Sequence, residues 1–344
     1  MSREPHSPDA VRVSIVIVTS DRCDDLRRCL RELQSHLAER DTPATEVLTV
    51  HAPHDTAAMA MVQAEFPWVA VHRAAERHLS KQRNLGAQRA RGAILVYLDD
   101  DAWPRPGWLA ALSAAFADDR VVAASGPVYR GDGSLQCARL AASPLGRLVP
   151  VAEEERLPPG MSPSFSGCNL AIRTRALFAC GGFDENLCYQ PDDMDVCWRL
   201  FARAGRSPDA MRYVATAAVN HESSPGPFRR TLHDRAWFTV ARDNTYFAFR
   251  HAGPFRAMLA AAPLQLPKLG RFVTWFVTRK LGPVALLRCV GKLVAGTMAG
   301  YWKGLSQTAR LPLQPLPPAP CSPGPTPPTT SRMEERASCP PQPV

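Results

Sequence analysis

The chain has 344 residues, enough for one large hydrophobic core, and its apolar share of 45% is that of an ordinary soluble globular protein. Its ten cysteines form no CxxC pair and its start is polar, which argues against a zinc knuckle and predicts a reducing, cytoplasmic compartment. The net charge of +9 lies in the C-terminal quarter, because residues 252–344 hold eleven Lys and Arg and only two Glu, so a nucleic-acid partner is not expected.

The first part of the chain alternates between two apolar patterns. Residues 1–11 are polar and predicted to be disordered. Continuous β-branched stretches then predict buried strands at 11–20, 44–52, 68–74 and 93–98. Helical spacing of apolar residues predicts helices at 21–40, in the stretch that follows the second strand up to Phe66, at 80–92 and at 106–119.

This alternation predicts an α/β fold with a mostly parallel sheet and helices on both faces. Ligands bind such sheets beyond the carboxyl ends of the strands. Ser20-Asp21-Arg22 follows the first strand and Asp99–Asp101 follows the fourth, so both groups should meet in one crevice. The chain has neither GxGxxG nor a Walker motif, which disfavours a dinucleotide or P-loop domain.

Residues 130–165 are rich in Pro and Gly and predict no clear element. Further on, residues 168–173 and 212–224 are strand-like, and residues 193–205 and 230–253 have helical spacing.

The aspartate triplet 99–101 is the first chemical signal. A carboxylate cluster alone is compatible with a solvated loop or a helix cap. At the end of a buried strand it also fits a site for Mg²⁺ or Mn²⁺, because these hard cations prefer carboxylate oxygens and substrate phosphates. A bound cation would offset the repulsion between the three charges.

A second carboxylate group, Asp192, Asp193 and Asp195, stands at a predicted helix start. Helix capping alone would account for it. However, Asp195 can pair with Arg199 at i,i+4, which leaves Asp193 available as a base. A metal site with a separate carboxylate predicts group transfer to a hydroxyl.

Three stretches, taken in order, carry a family resemblance. SIVIVTSDR (14–22), the run from Gln82 to Leu109, and the run from Gly181 to Gly205 resemble the family 2 glycosyltransferases with a GT-A fold, in the rhamnosyltransferase-like branch. The resemblance covers roughly residues 11–250. It implies an inverting transfer from a nucleotide-diphosphate sugar to an acceptor hydroxyl, with Mg²⁺ or Mn²⁺, as in polysaccharide or cell-envelope synthesis.

The resemblance also implies roles for residues at matching positions. The nucleotide sugar would be contacted by Thr19, Asp21, Arg22, Asp55, Arg83, Asn84, Asp99 and Asp100. The metal would be held by Asp101 with Asp99 and His221. The sugar and acceptor side would be shaped by Gly182, Phe183, Asp184, Asp192 and Trp198. Asp193 stands in the place of the catalytic base.

Two departures from the family pattern affect these roles. Where members have an Asp-Asp-Gly-Ser-like turn after the second strand, this chain has His51-Ala52-Pro53-His54-Asp55, which leaves the nucleotide base unspecified. In addition, Asp192 is shorter than the Glu usual there, so the acceptor contacts are expected to differ.

The C-terminal part is divided into two segments. Residues 252–310 are predicted to be a basic amphipathic helical extension of the 12–251 glycosyltransferase domain, and residues 311–344 a disordered Pro-rich tail. Two interpretations of the extension stay open. It either lies on an anionic membrane at the inner face of the cell membrane, where a lipid-linked acceptor would be available, or packs on the core as a helical cap.

Two rival functions remain for the whole chain. A sugar nucleotidyltransferase shares a similar sheet but should open with a Gly-rich phosphate loop near residue 20, where this chain has SDRCDDL. A non-catalytic, membrane-docked scaffold of the same fold is the second rival. Donor, acceptor (glycan, lipid-linked or small molecule) and linkage are not specified by the sequence.

Overall fold

The computed structural model describes residues 12–152, 155–188, 191–222, 236–261, 263–307 and 311–313. These residues belong to one compact unit. The predicted disordered N-terminus, residues 1–11, and residues 314–344 of the predicted tail lie outside the described residues.

The strands and helices of the described residues follow the predicted alternation closely. The strands are β1 (Val13–Thr19), β2 (Thr45–His51), β3 (Val69–Arg73), β4 (Ile94–Asp99), β5 (Ala102–Pro104), β6 (Ala123–Ser125), β7 (Val128–Tyr129), β8 (Leu135–Cys137), β9 (Leu140–Ala142), β10 (Leu148–Pro150), β11 (Ser162–Ser164), β12 (Leu170–Arg173), β13 (Met211–Tyr213) and β14 (Val219–His221). The helices are α1 (Cys23–Leu37), α2 (Thr56–Glu65), α3 (Leu79–Arg89), α4 (Trp108–Ala115), α5 (Thr174–Ala179), α6 (Asp192–Arg203), α7 (Ala236–Ala252), α8 (Pro254–Ala260), α9 (Leu266–Val277) and α10 (Pro283–Ser306).

A seven-stranded sheet with the order β13-β6-β12-β4-β1-β2-β3 forms the centre of the protein. β1 pairs in parallel with β2 and β4, β2 with β3, and β13 with β6. Only β12, among the strands of this sheet, runs antiparallel to its neighbours β4 and β6. The predicted α/β fold with a mostly parallel sheet is confirmed.

Alternate residues of β1 point to opposite faces of the sheet, and each face is covered. Ile15 and Ile17 pack in one core cluster with Leu30 of α1. Val16 packs in a second cluster with Ala87 of α3. This double coverage explains why the strand reads as a continuous apolar run.

Residues 128–164, where the sequence predicted little, contribute five strands to two small sheets, which β5 and β14 complete. Their strand orders are β10-β9-β11 and β5-β14-β7-β8. The strands have only two or three residues each, too short for periodicity to reveal. The second of these sheets brings β14 beside β5, directly after the aspartate triplet.

The predicted C-terminal extension is helical, and its longest helix packs on the preceding domain. Gly296 and Gly300 of α10 face the backbone carbonyls of Phe238 and Arg242 on α7, so closely that an added Cβ would overlap those oxygens. Gly304 lies against the ring of Phe249 in the same way. The predicted boundary after residue 251 thus falls at the end of α7, while α7 itself is covered by α10.

Residues 311–313, which the sequence assigned to the tail, pack on the core. Leu313 is 4% exposed and joins the cluster that contains Phe183. Its backbone N–H donates to the carbonyl of Gly181 at 3.3 Å. An isolated Leu between prolines gave no sequence signal for this contact.

Candidate active site

The carboxyl ends of β1 and β4 meet, as predicted, and their polar residues bond to each other. Thr19 Oγ1 donates to Asp100 Oδ2 at 2.8 Å. Nη1 of Arg22 donates to Asp100 at 2.8 Å and to Asp101 at 2.9 Å. The guanidinium therefore offsets the repulsion between two of the three adjacent carboxylates.

Asp100 and Asp101 are buried, whereas the Asp99 side chain is 31% exposed. Burial raises the pKa of Asp100 to about 7, against the opposing effect of Arg22. Asp100 is thus tied to β1 and α1 by Thr19 and Arg22, and Asp99 is the member of the triplet that faces the crevice.

His221 and Cys168 complete a set of ligand-type atoms around Asp99. One ligand atom from each of these three residues lies within 4.8 Å of the other two. Nε2 of His221 also lies 3.0 Å from Asp101 Oδ1. The chain brings His221 here because β14 pairs antiparallel with β5, which sets His221 opposite Ala102.

A second layer of contacts orients His221. Nδ1 of the ring lies 3.2 Å from Nε2 of Gln136, the middle residue of β8 in the same small sheet. Partners of this kind fix the ring orientation of metal-binding histidines. The oxygens of Asp99 and Asp101 with the His221 imidazole are donors that suit Mn²⁺ or Mg²⁺, so the residues fit a divalent cation.

Arg83 links the two carboxylate groups that the sequence singled out. It lies buried on α3, and its Nη1 donates to Asp192 at 2.6 Å while Nη2 lies 3.5 Å from Asp99. The strand-end aspartates and the start of α6 are therefore parts of one site.

Asp193 is the second residue of α6, beside this site, and is only partly buried. Its carboxylate accepts hydrogen bonds from the backbone N–H groups of Gly167, at 2.9 Å, and Met194, at 2.7 Å. Burial raises the pKa of Asp193, and Arg83 and the two N–H groups oppose that rise. A carboxylate whose pKa is raised in this way is a stronger base than an ordinary aspartate.

Asp195, two residues on, is occupied by other partners. It forms an ion pair with Arg199 at 2.7 Å, as predicted, and its other oxygen lies 2.8 Å from Nε2 of His251 on α7. Burial would raise its pKa, but Arg199 and His251 outweigh burial and lower the pKa to about 2. Asp195 therefore links α6 to α7, and the predicted role of Asp193 as the base stays a prediction.

Asn84 and the Gly182–Phe183 turn hold each other in place. Asn84 Nδ2 donates to the Phe183 carbonyl at 2.9 Å, and the Phe183 N–H donates back to Asn84 Oδ1 at 2.8 Å. Gly182 has φ +81°, and a Cβ there would stand 2.7 Å from the same amide oxygen. Asp184 is buried and accepts a hydrogen bond from the Tyr246 hydroxyl at 2.8 Å.

The turn after β2, where the chain departs from the family pattern, contacts the residue after β1. Asp21, at φ +58°, lies 3.0 Å from Nε2 of His54 and 3.3 Å from Arg77. Asp55 is instead buried, with its carboxylate 3.5 Å from Nδ1 of His51. The predicted contacts of Asp21 and Asp55 with a nucleotide stay predictions.

Trp198 lies in a hydrophobic cluster with Ala142, Met194 and Phe247 and is 6% exposed. Its indole meets the Phe247 ring edge to face at 6.5 Å between centroids. The predicted position of Trp198 on the acceptor side stays a prediction, and its described contacts are those of a packing residue.

The sequence missed Arg77, Gln136, Gly167 and Cys168. Gln136 and Cys168 carry no charge and stand in stretches without a motif, and the cysteines were judged by their spacing alone. Gly167 contributes only its backbone N–H. These residues join the site through folding of distant segments, which local patterns do not record.

Comparisons with known proteins bear on the family and the fold of this chain. Residues 14–178 match the family described as Glycosyl transferase family 2. The Pre-mycofactocin glycosyltransferase of Mycobacterium tuberculosis (strain CDC 1551 / Oshkosh) is 26% identical over 226 residues, which are 64% of this chain and 44% of that relative. The match thus spans less than half of the relative's length.

Two solved structures share the fold. The mannosyltransferase PcManGT from Pyrobaculum calidifontis, in complex with GDP-Man and Mn²⁺, is 19% identical, with 87% of this chain and 89% of that chain covered and a TM-score of 0.50. S. aureus TarS 1–349 is 13% identical, with 86% and 81% covered and a TM-score of 0.53.

Proposed function

We propose that this chain, which matches the Glycosyl transferase family 2 over residues 14–178, moves a sugar from a nucleotide-diphosphate donor to an acceptor hydroxyl with inversion. The proposal is carried by one observation, namely that Arg83 joins two carboxylate groups of different character. One group, with Asp99, Asp101 and His221, is suited to a cation and a diphosphate. The other contains Asp193, whose carboxylate is held by two backbone N–H groups.

The cation site of this proposal consists of Asp99, Asp101 and His221. Mn²⁺ or Mg²⁺ bound there would stabilise the negative charge of the leaving diphosphate. PcManGT, which shares the fold, was solved with GDP-Man and Mn²⁺, and that complex supports the same donor class here. The Sγ of Cys168 lies within 4.8 Å of ligand atoms of Asp99 and His221 and would offer a softer donor.

The base of this proposal is Asp193. An acceptor hydroxyl gives its proton to the carboxylate as the hydroxyl oxygen bonds to the anomeric carbon, and the bond from that carbon to the diphosphate breaks on the opposite face. One displacement inverts the configuration at that carbon. The two backbone N–H groups hold the carboxylate still for this step.

Some of the other predicted residues would support this centre. Thr19 and Arg22 anchor the strand-end aspartates, and Asn84 anchors the turn at Gly182 and Phe183. Asp192 is held by Arg83, so it would place that guanidinium rather than act as a second base.

A binding and turnover experiment tests the proposal. The full chain is heated with UDP-, GDP- and TDP-sugars, each with and without Mn²⁺, and the released sugar is measured over time. We expect one nucleotide class to raise the melting temperature only with the cation, and slow release of the sugar to water. Binding without any release would favour the non-catalytic scaffold, and release of pyrophosphate from a sugar phosphate and a nucleoside triphosphate would favour the nucleotidyltransferase.

We also propose that the enzyme works at the cytoplasmic face of an anionic membrane. The acid-free basic segment 254–310 supports this location. The acceptor would then be a lipid-linked or glycan hydroxyl of envelope or polysaccharide synthesis. A hexose or deoxyhexose donor is expected from the rhamnosyltransferase-like resemblance.

A further inference from the structure

The three C-terminal helices expose large apolar side chains that a soluble fold normally buries. On α10 these are Val284, Leu287, Val294, Met298, Trp302 and Leu305, all more than half exposed. Phe255 of α8 and Val277 of α9 are exposed to a similar degree. We call this set the apolar face. Its extent marks it as an interaction surface.

The spacing along α10 shows that the apolar face is one continuous stripe. The six residues recur at intervals of three, four or seven, so they share one side of the helix. The opposite side of α10, with Cys289, Leu293 and the glycines, packs on α7 and adjoining helices. The fold already buries one side of α10 and leaves the other side without a protein partner among the described residues.

The charge around the apolar face selects the kind of partner. Residues 254–310 contain nine Lys and Arg and no Asp or Glu. A second copy of this basic surface would be repelled, whereas anionic phospholipid headgroups would be attracted. Trp302, 69% exposed, has the amphipathic ring that favours the membrane–water interface.

A groove opens within the apolar face, between α8 and α10. Its volume is about 590 Å³, and it is lined by Met258, Ala261, Thr297, Met298, Ala299, Tyr301 and Trp302. Its lining combines small residues with two methionines and two aromatic side chains. This shape and lining suit one flexible hydrocarbon chain.

We propose that the apolar face docks on an anionic phospholipid bilayer and that the groove takes one acyl chain of a membrane phospholipid. This rests on the membrane location proposed above and names the contact surface and the lipid class. α10 then lies along the interface with its polar flanks in the headgroup layer.

α10 is the one described helix long and apolar enough to cross a membrane by length and composition. Two observations favour a position along the surface. Its glycine side is covered by α7, which carries the buried ion pair of Arg242 and Asp243. Arg288 and Lys292 also interrupt its apolar sequence within the first three turns.

Vesicle sedimentation tests the docking surface. The full chain is mixed with vesicles of phosphatidylcholine alone or with phosphatidylglycerol added. We expect binding only to the anionic vesicles, weakened by salt, and reduced by roughly tenfold or more in Trp302→Ala. Trp68→Ala is the matched control, because Trp68 is a partly exposed tryptophan between α2 and β3, outside the apolar face. This variant should bind the vesicles as the wild type does.

A fluorescent fatty acid, used below its micelle concentration, tests the groove. We expect saturable binding of one molecule per chain, and loss of that binding in Ala299→Trp, where the indole fills the groove, while the chain still sediments with anionic vesicles. Equal fatty-acid binding by Ala299→Trp and wild type would overturn the proposal that the groove takes an acyl chain.

Two further measurements separate this proposal from its alternatives. Sedimentation velocity should give a monomer, and a dimer that Trp302→Ala dissociates would assign the apolar face to a second copy instead. Donor binding without lipid should be the same in Trp302→Ala and wild type. A chain that binds vesicles but no nucleotide sugar would refute the proposed function alone, and the reverse result would refute the membrane surface alone.

Discussion

Replacing Asp193 by Asn tests the centre of the proposed mechanism. The side chain keeps its size and one acceptor oxygen but loses the charge and the ability to take a proton. A positioned general base contributes about 10²- to 10⁴-fold to a rate, which is about 3–5 kcal/mol in the barrier. We expect kcat to fall by at least this factor with the KM for the donor nearly unchanged, because Asp193 takes no part in holding the diphosphate.

The hydrogen bonds of Asp193 set the cost to stability. The carboxylate accepts from both Gly167 and Met194, and the amide has one acceptor oxygen for these two donors. One backbone N–H would be left without its partner, at about 1–3 kcal/mol in the free energy of unfolding. The variant should therefore fold, with a lower melting temperature than the wild type.

The assay measures sugar transfer or slow sugar release, with calorimetric titration of the donor and Mn²⁺ as the check on binding. Loss of turnover with donor binding retained supports Asp193 as the base. Turnover within a few-fold of wild type would refute the assignment. Loss of donor binding as well would show that the substitution disturbed Arg83 and the cation site, and the base would then have to be sought elsewhere.

Three further predictions concern the cation site, a buried ion pair and the helix contact. Asp101→Ala should abolish the Mn²⁺-dependent part of donor binding, and unchanged titration curves would contradict its role as a ligand. Asp195→Asn should leave Arg199, whose side chain is only 16% exposed, without its counter-charge and lower the free energy of unfolding by about 3–5 kcal/mol in denaturant titrations. The pKa of Asp195 in the folded protein is about 2, below the ordinary aspartate value. The stability that this carboxylate contributes is therefore present above the ordinary aspartate pKa and is lost as the pH falls toward 2. Acid unfolding of the wild type and of Asp195→Asn should show this difference. Gly300→Ala should cost about 1–3 kcal/mol because its Cβ meets a carbonyl of α7, whereas Gly291→Ala, where an added Cβ meets open space, should cost nothing.

The long elements could be predicted because burial leaves a strong local signal. β1 is apolar along its length since both faces of the sheet are covered, and α1 shows helical spacing since one side meets that sheet. The Asp triplet could be placed at the crevice because parallel strands end at one edge. The pairing of Asp195 with Arg199 could be predicted because it spans one helical turn.

The site contacts that the sequence did not predict join segments that are distant along the chain. Arg83 lies more than a hundred residues from Asp192, and nothing in either stretch specifies their ion pair. His221 reaches Asp101 only because two three-residue strands pair in a small sheet. For Trp198 the sequence predicted the helix on which it lies, but it did not predict the hydrophobic cluster in which the side chain is packed.

The glycine contact between α7 and α10 bears on where this protein can be shortened. A chain ending at residue 251 would keep every residue proposed for donor binding and catalysis. Without α10, the carbonyls of Phe238 and Arg242 and the ring of Phe249 on α7 would be exposed. The same helix carries His251, which contacts Asp195. A truncation meant to improve solubility by removing the apolar face should therefore keep α10 whole and replace its exposed side chains instead, so that the catalytic part retains the helix on which it rests.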